Sequence, residues 1–456
     1  MKQFQYGGSY GGYCAVLGGV LIHLTLGNLY SFGNMLTYIA SYMHQRVSNS
    51  VTYSNTVWVN SITTAAQGLF MVLGGLLERA VGPRITCFIG CSLMSGGIML
   101  TYYTINKSLF GVVLSYGLVA GTGIALAYSI PLACGMKWFP ESKGLVNGVI
   151  VAGFGLGALG STSFQTQYLN PNNTPPDHNT GYFTAGAILD KVPSLFIALG
   201  CVFIVMQYIG CILINKPSVD EVSGPRQEKV NLLKEEGEEE RELEERVVRV
   251  DEQKVRVDEE RNRKNLRPRE ILYEKCFYIF WLIYFLNTIA VGYINAMYKT
   301  FGLTFIHDDH FVSLVGSLAA IFNAGGRVCW GRLMDHTSFR ITMRLLCIIL
   351  MLLFASFPVT QHLQSKVSFA LWLWLIFFTF SGTFVLMPTV VDKAFGARYY
   401  AANYGLIFTS QAVSGPLIAL LNELMLDSLG YTGCFLTVAS LIALSVMLTF
   451  LVPDDL

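Results

Sequence analysis

Phe311-Val-Ser-Leu-Val-Gly-Ser-Leu-Ala-Ala-Ile-Phe-Asn-Ala-Gly-Gly-Arg-Val-Cys-Trp330 is an apolar run interrupted by a single charge, Arg327. A helix of that length rises about 30 Å, the thickness of the hydrocarbon core of a bilayer. A guanidinium at such depth costs about 2.5–3.5 kcal/mol on insertion scales, and a charge kept there despite the cost marks a functional site. Two questions follow: how many further runs accompany this one, and which anion the cation holds.

Composition answers the first. Only 13% of residues are charged and 53% are hydrophobic, and the mean hydropathy is +0.48, a profile far from that of a soluble domain. The charges are also segregated: of the 61 Asp, Glu, Lys and Arg residues, 33 lie between Lys216 and Lys275, leaving 28 for the other 396 positions. So few charges cannot solvate a soluble surface of this size. Twelve windows have spanning length, at 13–38, 56–77, 85–104, 110–135, 144–166, 193–214, 276–300, 311–334, 342–358, 368–391, 401–424 and 431–452. The ninth is closed early by Pro358. No cleavable leader is expected at Met1, because the first apolar run lacks a basic flank and is too long. The reading is an all-α membrane protein.

Short-loop Lys and Arg counts set an expected orientation. One side carries Arg46, Lys107, Lys191, Lys299 and Lys366; the other carries Lys2, Arg79, Arg84, Lys137, Lys143, Arg332, Arg340, Arg344, Lys393 and Arg398. Positive residues favour the cytoplasmic face, which places both termini and the charged segment there. The sequons Asn106-Lys-Ser and Asn172-Asn-Thr fall on the outer side. The ten cysteines lie in or beside apolar runs and show no metal-ligand or disulfide pattern. No metal or cofactor is expected, and no nucleic acid. No nucleophile with a base and no phosphate loop points to an enzyme.

An internal repeat is also present. A shift of 257 residues puts Gly74 on Gly331, Glu78 on Asp335, Pro131 on Pro388 and Gly148 on Gly405. The matched residues are structural: glycines for close helix approach, prolines for kinks, an acid at a helix end. Three segments are expected, a six-helix half at 1–215, a linker at 216–275 and a second half at 276–456, with a ligand site at the midplane between the halves. The polar residues do not repeat. Arg327 falls opposite Phe70, Tyr128 opposite Val385 and Gln411 opposite Phe154.

Gly74-Gly-Leu-Leu-Glu-Arg-Ala-Val-Gly-Pro-Arg84 and Gly331-Arg-Leu-Met-Asp335 resemble loop signatures of the major facilitator superfamily. Lys137-Trp-Phe-Pro-Glu-Ser-Lys-Gly-Leu-Val-Asn-Gly148, Ala152-Gly-Phe-Gly-Leu-Gly-Ala158, Asn323-Ala-Gly-Gly-Arg327 and Asn403-Tyr-Gly-Leu-Ile-Phe-Thr409 are similar to the oxalate/formate antiporter family, itself related to monocarboxylate transporters. The resemblance covers the chain apart from the linker and the loop after the fifth helix. It implies exchange or uptake of small organic carboxylates; the expected carrier works by alternating access as a monomer, in the plasma membrane, alone or with a proton or counter-anion. By the same resemblance Arg327 pairs with the substrate carboxylate, Tyr30 and Tyr128 line the pocket, and Gln67 is a polar position of the second helix.

Two positions depart from that pattern. The oxalate exchanger has a second cation in the eleventh helix, where this chain has Thr409-Ser410-Gln411. One cation compensates a monocarboxylate better than a dicarboxylate. Proton-coupled relatives carry an aspartate one turn before the arginine, where this chain has Asn323, which cannot cycle a proton.

The remaining candidates each have a plainer reading beside the functional one. Asp335 lies about 12 Å along the helix from Arg327, too far to pair with it. Asp335 with Arg332, and Glu78 with Arg79 and Arg84, are expected to act as gate residues or else as solvated loop charges. Tyr30 and Tyr128 alternatively pack as bonded aromatics, and Gln67 and Gln411 as amides that tie helices together. His23, two turns before Tyr30, is a weak candidate for coupling. Gly155-Leu-Gly157-Ala-Leu-Gly160 follows no strand and reads as a small-residue packing face rather than a dinucleotide site. Asp392-Lys393 reads as a loop ion pair. The linker contains Glu235-Glu-Gly-Glu-Glu-Glu240 and the heptad-spaced pair Val248-Arg-Val-Asp-Glu252 and Val255-Arg-Val-Asp-Glu259, expected to form a charged helix or tether. The alternatives to a carboxylate carrier are a carrier of another organic anion or nutrient, and a non-transporting receptor or scaffold that signals through its linker.

Overall fold

The computed structural model describes residues 10–172, 174, 177, 182–217, 265–306 and 308–453. These form helices α1 (Tyr10–Arg46), α2 (Tyr53–Val81), α3 (Pro83–Thr104), α4 (Leu109–Trp138), α5 (Lys143–Leu169), α6 (Val192–Leu213), α7 (Lys275–Leu303), α8 (Asp309–His336), α9 (Phe339–Ser356) and α10 (Lys366–Phe395). The run Tyr400–Thr449 is two helices, α11 (400–429) and α12 (431–449), broken at Gly430, whose φ of 63° and ψ of −178° suit only glycine. All twelve windows are helical and most run a turn longer than expected. The α1 helix tightens to a 3-10 turn at Gly27–Ser31, and Pro131 and Pro388 sit inside α4 and α10. The acidic run and the heptad pair of the linker lie outside the described residues.

Among the described residues, ten of these helices are long and apolar enough to cross a membrane by length and composition. Arg327 and Gln411 lie on α8 and α11. A helix that faces a water-filled cavity can keep polar residues that a lipid-facing helix cannot.

Glycines set how closely helices approach. A Cβ at Gly27 would lie 2.0 Å from the Phe154 carbonyl oxygen, and one at Gly157 2.0 Å from that of Leu24, so α1 and α5 pack backbone to backbone. Gly155, by contrast, faces the Asn323 side chain of α8, and Gly160 has nothing within 4 Å. The expected small-residue face therefore serves two neighbours rather than one.

Two seams join the halves, α2 with α11 and α5 with α8. In the first, a Cβ at Gly75 would lie 2.1 Å from the Ala402 nitrogen and one at Gly405 2.6 Å from the Val72 nitrogen. In the second, a Cβ at Gly144 would lie 2.2 Å from the Gly331 carbonyl oxygen, and one at Gly148 2.6 Å from that of Arg327. The 257-residue offset that relates Gly74 to Gly331 also relates Gly144 to Ala401, so each seam is the image of the other.

Candidate functional site

The linker emerges at the end of the bundle where these seams are tightest. Lys216 pairs with Glu78, the Trp138 indole donates to Asn215, the Leu266 amide donates to the Phe395 carbonyl at 3.0 Å, and the Asn403 amide donates to the Leu266 carbonyl at 3.0 Å. At this end polar groups also cross between halves. Lys143 forms a salt bridge with buried Asp392. Asp335 accepts from the amides of Gly144 and Leu145, each at 2.8 Å, capping the start of α5 from across the seam with the favourable sign for a helix N-terminus. Asn147 donates to Thr389 at 3.0 Å, and the Arg79 guanidinium stacks 3.8 Å from the centre of the Tyr399 ring.

These contacts correct one expected pairing and show where the candidate gate residues sit. Asp392 pairs with Lys143 of the other half rather than with adjacent Lys393. Glu78 pairs with Lys216, not with Arg79 or Arg84; Arg84 Nε donates to the Ile214 carbonyl at 2.6 Å inside its own half. Arg332 is exposed, while Asp335 turns to backbone amides. Asn106, one of the two sequon residues, donates its amide to the Tyr102 carbonyl at 2.7 Å.

At the far end the described ion pairs stay within halves, Arg46 with Asp190 and Lys366 with Asp308. The halves are thus locked together at the linker end and joined by no described ion pair at the other.

Arg327 sits between these ends, on α8, and is fully buried. Its Nε donates to Asn323 Oδ1 one turn earlier at 2.9 Å. Its Nη1 crosses the seam to the Val151 carbonyl of α5 at 2.8 Å. The Phe154 and Phe384 rings flank the guanidinium at 5.7 and 5.2 Å. Nη2 has no hydrogen-bond partner, and no acid pairs with Arg327 among the described residues. A cation held at two corners with its third nitrogen free is pre-oriented for a carboxylate, whose oxygens match the planar fork of N–H donors.

The surrounding groups are largely tyrosines. Tyr30 is 38% exposed although it stands against Phe154 at 5.1 Å and faces Arg327. Part of its ring therefore stays accessible beside the guanidinium. Tyr128 is buried, with its ring 5.1 Å from His23 and 5.5 Å from both Phe154 and Phe408. Gln411 donates to the Tyr284 hydroxyl at 3.3 Å, and Tyr404 stands beside both Tyr128 and Tyr284. Gln67 is buried next to Gly68, whose Cβ position abuts the Ala412 backbone beside Gln411. The structure therefore gathers Arg327, Asn323, Tyr30, Tyr128, His23 and Gln411 around one centre and sets Gln67 at its α2–α11 edge.

Sequence reasoning missed Tyr284, Tyr404 and the Val151 carbonyl. The spacing of Tyr400, Tyr404, Phe408 and Gln411 marks one face of a helix, and that signal was available. Nothing local distinguishes Tyr284 among its aromatic neighbours, and a carbonyl acceptor has no side-chain signature.

Comparison with known proteins agrees with this architecture. The chain is 28% identical to apicoplast pyruvate carrier 1 of Toxoplasma gondii, over 97% of this chain and 88% of that protein. It is 23% identical to the oxalate:formate antiporter of Oxalobacter formigenes, over 83% and 78% respectively. Among solved structures, the proton:xylose symporter XylE superposes with a TM-score of 0.69 over 98% of this chain and 97% of that one, at 13% identity, which speaks for the fold alone. Residues 17–419 match the model of the Major Facilitator Superfamily. With two seams of close-packed helices around a central polar site, the chain belongs to that superfamily of membrane transporters.

Proposed function

We propose that this transporter moves small monocarboxylates, pyruvate and lactate among them, with Arg327 as the carboxylate ligand. The observation that carries this reading is the free Nη2 of a fully buried guanidinium that has no acid partner among the described residues. An uncompensated buried cation is strongly unfavourable, and an anionic substrate supplies the missing charge each time it binds. A single cation favours a single negative charge, since Gln411 on α11 is neutral. The names of the relatives, a pyruvate carrier and an oxalate:formate antiporter, support the same substrate class.

The contacts also support a working cycle. In this reading the conformation is closed at the linker end and entered from the far side past Tyr30, whose ring keeps an accessible edge. A carboxylate arriving from the far side meets Nη2, with the Tyr30 and Tyr128 hydroxyls beside it. Neutralising the guanidinium lowers the cost of enclosing it, so the far side closes. Lys143–Asp392 and the Asp335 cap then release to open the linker end. With the linker and termini on the cytoplasmic side, as the Lys and Arg bias indicates, this is the outward-facing state.

The test is flux of labelled pyruvate into vesicles that contain purified protein. Arg327→Ala should lower it at least about thirtyfold, the equivalent of the roughly 2 kcal/mol lost when a buried charge pair loses one member, with membrane insertion intact. Uptake by that variant at the native rate would remove the basis for the reading.

A further inference from the structure

His23 has features that substrate binding does not use. It lies on α1, fully buried, with Nδ1 3.0 Å from the Gly19 carbonyl oxygen one turn earlier. A carbonyl can only accept, so Nδ1 carries a proton and a neutral ring must leave Nε2 as a bare lone pair. Nε2 has no partner among the described residues. An unsatisfied acceptor buried at a polar centre is uncommon in folded proteins and asks for an explanation.

The groups that face the ring narrow the explanation. From α4, Tyr128 stacks at a tilt 5.1 Å away. From α5, the contacts are Phe154 at 6.4 Å and Gly153, neither of them titratable. From α8, Arg327 is the charged group that acts on the imidazole. Tyr30 follows on α1 itself. Where α6 packs against α1, it brings the uncharged Gly210 to Gly18 and Gln207 to Thr25. No carboxylate faces His23 among the described residues, and Arg327 is the charged group beside its buried ring.

We propose that His23 Nε2 is the proton site of this carrier, taking up one proton together with each carboxylate so that acid and proton cross in company. The inference rests on the carboxylate reading of Arg327 and extends it to the coupling ion. The buried charges show why proton and anion travel together. In the empty carrier the centre holds Arg327 alone, a charge of plus one. Protonating His23 then would put two cations side by side in a low-dielectric site. Once a carboxylate has docked on Arg327 that pair is neutral, and a proton on Nε2 restores the charge of the empty state. In the chemical step, a hydronium ion admitted from the far side gives its proton to Nε2: one of its O–H bonds breaks as the N–H bond forms, and water is left. After the halves rock, the same bond breaks toward water at the linker end, and nothing is oxidised or reduced. A proton without an anion is excluded electrostatically, so the carrier should not leak protons in the absence of substrate.

The test uses purified full-length protein in vesicles with labelled pyruvate, measured in two modes: zero-gradient counterflow, and accumulation driven by an inward proton gradient. The native carrier should accumulate pyruvate up to about tenfold per unit of pH gradient, the limit for one proton per acid. In His23→Gln and His23→Asn the ratio of gradient-driven to zero-gradient uptake should fall to one, whatever the absolute rate. A native ratio in either variant overturns the inference. Native counterflow without any response to the gradient also overturns it while leaving the carboxylate reading intact, whereas absent counterflow overturns the carboxylate reading itself. If neither variant reaches the membrane, nitrogen NMR of the native carrier decides. Adding pyruvate should convert one of the seven imidazoles to imidazolium, and seven unchanged signals would refute the proposal.

Discussion

Gly144 and Gly331 meet backbone to backbone across the two halves: a Cβ on the first would fall 2.2 Å from the carbonyl oxygen of the second, and a Cβ on the second 2.1 Å from that of the first. No side chain larger than hydrogen fits there without separating α5 from α8 at the linker end. Gly331→Val should therefore disfavour the closed linker end by about 1–3 kcal/mol, the usual cost of overpacking, or roughly 5- to 150-fold in population. A single cysteine introduced at the linker-end seam, labelled by maleimide from that side, should react faster by that factor. Unchanged labelling would show that the seam does not open in transport.

Lys143 and Asp392 form the one described salt bridge that joins the halves. Asp392 is the more buried member, so removing Lys143 leaves a carboxylate without compensation in a poorly solvated place. Lys143→Met should lower pyruvate uptake more than the double variant Lys143→Met/Asp392→Leu, because deleting both members removes the desolvation penalty along with the attraction. The comparison is a double-mutant cycle on initial rates. Additive losses would mean that the two residues do not act as a pair.

Asn323 holds the guanidinium by a neutral oxygen at 2.9 Å. Asn323→Asp would place a built-in anion where the substrate has to dock. Uptake at neutral pH should fall at least about tenfold, on the scale of one charge-assisted hydrogen bond. It should recover in acid, as protonation of the new carboxyl frees the cation. The pH profile of the initial rate, set against that of the native protein, checks this. A variant with the native profile would show that the Asn323 site does not compete with substrate.

Gln411 reaches the Tyr284 hydroxyl from α11 and occupies the position where the resemblance places a second cation in the oxalate exchanger. Gln411→Lys should shift preference from pyruvate toward oxalate, measured as the ratio of the two counterflow rates. The introduced ammonium compensates the second negative charge. Unchanged selectivity would put Gln411 outside the substrate's reach.

The sequence shows much of this fold because a membrane filters composition so strongly. Phe311–Trp330 and its companions had to be apolar and long, and the shift of 257 residues exposed the two halves. It shows the site unevenly. Arg327 stood out because hydrocarbon makes a charge conspicuous, and His23 and Gln411 followed as polar residues in apolar runs. The cross-half lock was hidden. Lys143 and Asp392 are 249 positions apart, and Lys393, adjacent in sequence, offered Asp392 a false partner. Asp335 likewise turns from its neighbour Arg332 to backbone amides, which no residue letter reports. Burial is set by the whole bundle, so the free Nη2 and the bare Nε2 became visible only once the helices were packed.

The guanidinium on α8 has a consequence for how the protein is made. During synthesis this helix leaves the ribosome before its cavity exists, with Arg327 still facing lipid headgroups or the walls of the translocation channel. That charge makes its insertion costlier by about 2.5–3.5 kcal/mol, so it leans on α7, already embedded, and is completed as α9 and α10 arrive. Variants that weaken those neighbours should then be recovered as degraded chains rather than as slow carriers, and assembly and transport defects in this half will be separable by the age of the chain at which they strike.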